Sequence, residues 1–197
     1  AAEAAQAEET AAALLRGANR ALQQRQQCRD ELHDMRATVA LLLVDCARAL
    51  ALCAHVGDTR IYGFRDGGLR FRSRDHSLLQ GMVDAGWADE AMLRGHPQRS
   101  VLLHALGGGD ALPAEAQRGQ LLPLQQADAF LLCTDGLWDG LDDAAMRQAL
   151  QGSADAAGWL ESLEQALLRT PRRGRDNYSA IALRVSDIGE ATRIDAA

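Results

Sequence analysis

Between residues 37 and 72 the chain alternates short apolar runs with tight breaks, and this pattern restricts the possible folds more than any other feature. The runs at 37–46, 49–56, 60–64 and 69–72 each have the length and apolar content of a strand. The breaks at Ala47-Arg48, Gly57-Asp58-Thr59 and Asp66-Gly67-Gly68 are too short to hold a crossover helix. Strands joined this way pair antiparallel, which excludes βαβ units.

Helical periods flank this block. Leu14, Leu15, Ala18 and Leu22 recur at helical spacing within 8–34, with Thr10 as the only candidate cap. At residue 77 the period changes again. Leu78, Leu79, Met82, Val83 and Ala85 predict a helix that Gly86 ends. Asp89 opens a short helix through Leu93, and Pro97 opens a third that closes near Leu106. Gly107-Gly108-Gly109 reads as a flexible loop, because no strand precedes it and the P-loop lysine is absent. Strands follow at 117–122 and 128–133. A helix over 142–151 is capped by Asp142, and another over 155–169 has Trp159, Leu160, Leu163, Leu167 and Leu168 on its apolar side. Arg172, Arg173 and Arg175 lie in a solvated basic loop, and 177–185 alternates as a last strand. The expectation is one α+β domain over 1–197.

Composition narrows the function. A net charge of −6 argues against nucleic acid as a partner. No apolar run is long enough to span a membrane, and the start lacks the basic and apolar regions of a secretory signal, so a cytoplasmic protein is expected. The four cysteines form no Cys-x-x-Cys pair and are expected to be buried reduced thiols. The five histidines show no ligand spacing.

Chemistry is then left to acidic residues at strand ends: Asp58, Asp75, Asp135, Asp139 and Asp176. The sharpest case is 130–139, where an apolar run stops at Asp135 and Gly136 lets the backbone turn. A carboxylate at the mouth of a core strand is a candidate metal ligand or acid. It is equally a cap for a turn or helix. Several carboxylates converging in one cleft would repel, and a hard divalent cation with oxygen ligands relieves that repulsion. A pair of such ions can activate a water and neutralise a phosphoryl group.

Five blocks, in order and suitably spaced, together resemble the metal-dependent serine/threonine protein phosphatases of the PPM (type 2C) family in their compact bacterial form. They are His55-Val56-Gly57-Asp58-Thr59-Arg60-Ile61-Tyr62, Arg74-Asp75-His76-Ser77, the run from His96-Pro97-Gln98-Arg99 to Gly107, Leu132-Cys133-Thr134-Asp135-Gly136-Leu137-Trp138-Asp139, and Arg175-Asp176-Asn177-Tyr178-Ser179. The resemblance implies an αββα sandwich, two antiparallel sheets flanked by helix pairs. It implies hydrolysis of phosphoserine or phosphothreonine in proteins by a metal-activated water. It also implies two core Mn²⁺ or Mg²⁺ ions with a possible third. Asp135 and Asp176 match core metal ligands, Asp58 matches a ligand of the third ion, and Asp139 matches an acidic position that can contribute there. Residues 77–106 match the flap beside the active site. A phosphorylated protein substrate and a cognate serine/threonine kinase pathway are the implied partners.

The family's Asp-Gly-x-Gly-Gly block, whose Asp bridges both core metals, has no counterpart before Thr38, nor has the Arg that binds substrate phosphate. The catalytic domain is therefore expected to be N-terminally incomplete in this sequence, either as a piece of a longer chain or as an incomplete homologue. The alternative reading is a pseudophosphatase-like module that holds a phosphoprotein without hydrolysing it.

Overall fold

The computed structural model describes residues 2–94, 96–109, 112–113, 116, 119–170 and 176–186. The first element is helix α1, Ala2–Cys28, followed by a 3-10 turn at Asp30–Leu32. Its composition of Ala, Glu, Gln, Leu and Arg is strongly helix-forming. Thr10 does not cap it: the helix starts eight residues earlier, and the Thr10 hydroxyl donates to the Gln6 carbonyl inside it.

Strands β1 (Val39–Asp45), β2 (Leu50–Val56) and β5 (Gln120–Pro123) form one antiparallel sheet in the order β1-β2-β5. Strands β3 (Arg60–Arg65), β4 (Gly68–Arg72), β6 (Asp128–Cys133) and β7 (Ala180–Arg184) form the second, ordered β4-β3-β6-β7. The two expected hairpins thus belong to different sheets. The β1–β2 turn is closed by Asp45, whose carboxylate accepts from the Arg48 backbone and side chain. The β3–β4 turn has positive φ at both Asp66 and Gly67, the type I′ geometry that matches strand twist.

The sheets stack, and helices cover both outer faces. Ala51, Cys53, Ile61, Leu124 and Phe130 fill the space between the sheets. Ala11 and Leu15 of α1 pack on Leu52, Ala54 and Val56 of the first sheet. Helices α4 (Asp143–Gln151) and α5 (Ala156–Arg169) pack on the second sheet through Met146, Leu150, Trp159, Leu163 and Leu167. The α5 stripe is narrower than expected. Trp159, Leu163 and Leu167 repeat at i, i+4 and i+8, while Leu168 points to solvent at 59% exposure. Burying each of those three side chains stabilises the fold by roughly 1.5–3 kcal/mol. Asp142 and Asp155 cap the two helices by accepting from the Ala145 and Gly158 backbone N–H groups. Among the described residues, α1 is the only long helix on the first sheet, so the expected helix pair is seen on one side.

The 77–106 region departs from expectation. Helix α2 (Leu78–Asp84) forms, with Ser77 as its cap and Gly86 at φ +74 beyond it. Glu90–Leu93 is a 3-10 turn, and the Asp89 side chain makes no cap bond. No helix follows Pro97. The segment is a turn, and its chain then pairs through bridges Ser77↔Leu102 and Ala37↔Leu106. Backbone groups that a helix would have used are taken by neighbouring segments. Gly107, read as flexible, is tied to α1: its N–H donates to Asn19 and its carbonyl accepts from Gln26. Cys53 and Cys133 are buried, but Cys28 and Cys46 are exposed, against the expectation of buried thiols. Among the described residues no helix is long and apolar enough to cross a membrane.

Candidate metal centre

Each candidate carboxylate enters the site from a junction between elements. Asp58 sits in Gly57-Asp58-Thr59, where the chain leaves β2 in one sheet and enters β3 in the other. Gly57 takes φ +98, and a Cβ there would meet the Thr38 side chain at 2.4 Å, so only glycine fits. Asp135 is not the end of its strand, which stops at Cys133. It is the first residue of a one-turn helix α3, Asp135–Trp138, with Thr134 at the N-cap position. Asp139 follows that turn directly. Asp176 precedes β7 and is exposed.

Two contacts bring Asp176 beside Asp135. Thr134 pairs with Ser179 in both directions: its N–H donates to the Ser179 carbonyl, and its hydroxyl accepts from the Ser179 N–H. Gly136 then allows close approach, because a Cβ at that position would lie 2.2 Å from the Asn177 carbonyl oxygen.

The electrostatics record the convergence. Burial, then the charges of Asp135 and Asp75, push the Asp58 carboxyl up to about 6. Burial and the Asp176 charge raise Asp135 as well, with Asp139 adding to the effect and the Gly136 N–H and Arg99 partly offsetting it. Asp139 is 4% exposed, and its Oδ2 accepts from Arg99 Nε at 3.0 Å. Asp58, Asp139 and Asp176 are each linked electrostatically to Asp135. Asp75 does not join them as a free carboxylate: it is locked in a buried bidentate pair with Arg60, at 2.7 and 2.6 Å.

The donor chemistry fits a hard divalent cation, since like charges held together against their own repulsion are what such an ion relieves. The set is partial. Among the described residues no three of His, Cys, Asp or Glu are grouped closely enough to form a ready-made metal site.

Around the carboxylates lies a frame that the sequence did not single out. Arg60 stacks on the Trp138 ring, 3.5 Å from its centroid, and Trp138 Nε1 donates to the Asp58 carbonyl at 2.9 Å. The signal for Trp138 was its place three residues after Asp135, the length of one helical turn. His76 lies just after Asp75. It holds the β2–β3 crossover, its N–H donating to the Gly57 carbonyl and its Nδ1 accepting from the Gly57 N–H. Residues 77–106 lean on the same site through Arg99 and through Arg94, which donates to the Trp138 and Leu141 carbonyls and pairs with Asp143. Arg172, Arg173 and Arg175 lie outside the described residues.

The profile of the protein phosphatase 2C family matches residues 1–170. The chain is 31% identical over 175 residues to the serine/threonine protein phosphatase PstP of Mycobacterium tuberculosis, a match covering 89% of this chain and 32% of that protein. A crystal structure of the M. tuberculosis phosphatase superposes with a TM-score of 0.74 at 27% identity, covering 86% of this chain and 68% of that one. A PstP catalytic domain in complex with two manganese ions gives a TM-score of 0.72 at 26% identity, covering 86% and 67%. The chain spans less than half the length of the curated relatives it matches. Two stacked antiparallel sheets with flanking helices and a family match over most of the sequence lead to one conclusion: this chain belongs to the protein phosphatase 2C family.

Proposed function

We propose that residues 1–197 are a single catalytic domain that hydrolyses phosphoserine and phosphothreonine in proteins, with 77–106 as a flap over the cleft. The observation that carries this reading is a chain of neighbouring carboxylates: burial and then the Asp135 charge raise the Asp58 carboxyl, and burial, Asp176 and Asp139 raise that of Asp135. Asp135 and Asp176 are the ligands of a core ion, and Asp58 with Asp139 serves a third. The manganese-bound relative supports Mn²⁺, or Mg²⁺ by the same hard-oxygen chemistry. Bound in the cleft, such ions supply charge neutralisation at the phosphoryl oxygens and an activated water. The chain's own part is positional. The β2–β3 crossover holds Asp58, α3 holds Asp135, and Arg99 places a cation on Asp139. A phosphorylated protein in a bacterial cytoplasm, set against a serine/threonine kinase, is the substrate that fits; the bacterial relatives support that setting.

The test is hydrolysis of a phosphothreonine peptide with and without Mn²⁺, by this chain and by its N-terminally extended form. Mn²⁺-dependent turnover that Asp135→Ala or Asp176→Ala abolishes, with circular dichroism unchanged, is the expected result. Full activity in either variant overturns the ligand assignment. Absence of turnover in both parent forms overturns the enzyme reading and leaves a phosphoprotein-binding module.

A further inference from the structure

We infer that Trp138 is a positioning residue which sets Asp58 against Asp135, with helix α3 as the spacer between them. The inference rests on Asp58 and Asp135 being ligands, as proposed above. Helix α3 begins at Asp135 and ends at Trp138. From that last residue, Nε1 donates to the Asp58 backbone carbonyl at 2.9 Å. Both ends of the bond are buried, Trp138 at 2% and Asp58 at 9% exposure. One turn of helix therefore carries one carboxylate at its start and grips the segment bearing the other at its end. Three residues of helix span only about 4.5 Å along the axis, so the spacer is short and stiff.

The ring cannot turn away from this bond. Arg60, 1% exposed, sits over it at 3.5 Å, fixed in turn by two hydrogen bonds to Asp75 and one to the Tyr62 hydroxyl. Rotating the indole would unstack a buried cation and strand a buried N–H donor. The crossover has other holds, from His76 on Gly57 and from the Thr38 hydroxyl on Thr59. Among the hydrogen bonds to the crossover from described residues, the Trp138 bond is the one that comes from the element carrying Asp135. The others fix the crossover to the base of the 77–106 region and to the start of the first sheet. Packing alone does not need the indole nitrogen, since a benzothiophene ring would fill nearly the same space.

The experiment removes the donor and keeps the shape. Trp138 is replaced by β-(3-benzothienyl)alanine, which has sulfur in place of N–H, and separately by the genetic variant Trp138→Phe. Each change is made with and without Asp58→Asn. Three quantities are read on the full chain: the unfolding midpoint, amide hydrogen exchange at Asp58 and Thr59, and calorimetric binding of Mn²⁺ alone. The expected result is a native-like midpoint for the benzothienyl protein and faster exchange at Asp58 and Thr59. Mn²⁺ binding should weaken about tenfold, as for groups that orient metal ligands. That weakening should vanish in the Asp58→Asn background. Unchanged exchange at Asp58 and Thr59 overturns the inference, whatever the metal does. An equal Mn²⁺ loss with and without Asp58 also overturns it, because the effect would then not pass through that residue. Asp58→Asn alone binding Mn²⁺ like the parent overturns the ligand reading instead, while the exchange measurement still decides whether Trp138 positions the crossover.

Discussion

Gly136 holds the acidic cleft together by lacking a side chain. The atom that a Cβ would strike is a backbone oxygen, Asn177 O at 2.2 Å, which cannot swing aside as a flexible side chain could. Gly136→Ala should force residues 176–177 away from α3. Overpacking of this kind costs about 1–3 kcal/mol, and the misplacement of Asp176 should lower Mn²⁺-dependent turnover at least tenfold. Urea unfolding and peptide hydrolysis on the same protein check both. Asp58 makes the opposite trade. Its carboxyl rises from 3.8 to about 6, so the folded state holds a proton that the unfolded chain releases. Stability from this group is complete below pH 3.8 and is lost as pH climbs through 6. After allowance for solvent screening, the metal-free fold bears a cost of roughly 2 kcal/mol at neutral pH. Asp58→Asn should therefore stabilise the protein in EDTA at pH 7, with the gain disappearing towards pH 4. A pH series of unfolding curves with no such difference would show that burial and neighbouring charge do not disfavour the Asp58 carboxylate. The candidate carboxylates were visible in the sequence as acids at strand ends. Nothing local distinguished Asp75, which is buried against Arg60, from Asp58, which is buried without such a bidentate partner of its own.

The elements that formed as expected are those whose signals lie within a few residues. The β3–β4 hairpin follows from Asp66-Gly67, and α4 follows from Asp142 and an apolar stripe. The expected helix after Pro97 failed because its carbonyls and N–H groups found partners at His76, Leu78 and Ala37, far away in the chain. Helix α3 escaped notice because four residues are too few to show a period. The Arg60–Asp75 pair joins β3 to the segment that follows β4, with both side chains at 3% exposure or less. Arg60→Ala should destabilise the fold by about 3–5 kcal/mol, since it leaves Asp75 charged and buried. Asp75→Asn should cost nearly as much, measured by denaturant midpoint. A loss below about 1 kcal/mol would mean that water reaches the pair.

At the scale of the molecule, among the described residues the first sheet ends on β1, whose seven residues are all half-exposed. Val39, Leu41 and Leu43 face α1, while Ala40, Leu42 and Val44 face the second sheet, so both faces of this edge strand are apolar. It carries no proline and no charge before Asp45. Such an edge pairs readily with another chain. This chain should associate as its concentration rises in size-exclusion chromatography with light scattering. A monomer at every concentration would show the edge to be covered in solution. Strand periods, turn chemistry and helix caps act between near neighbours, so residue order alone dictated most elements, the antiparallel pairing and the family. Tertiary pairing brought Asp176 beside Asp135 through Thr134 and Ser179, set Trp138 on the Asp58 carbonyl, and turned Asp75 into a structural counter-ion to Arg60. Those placements depend on packing between residues far apart in the chain, where no short-range pattern reaches.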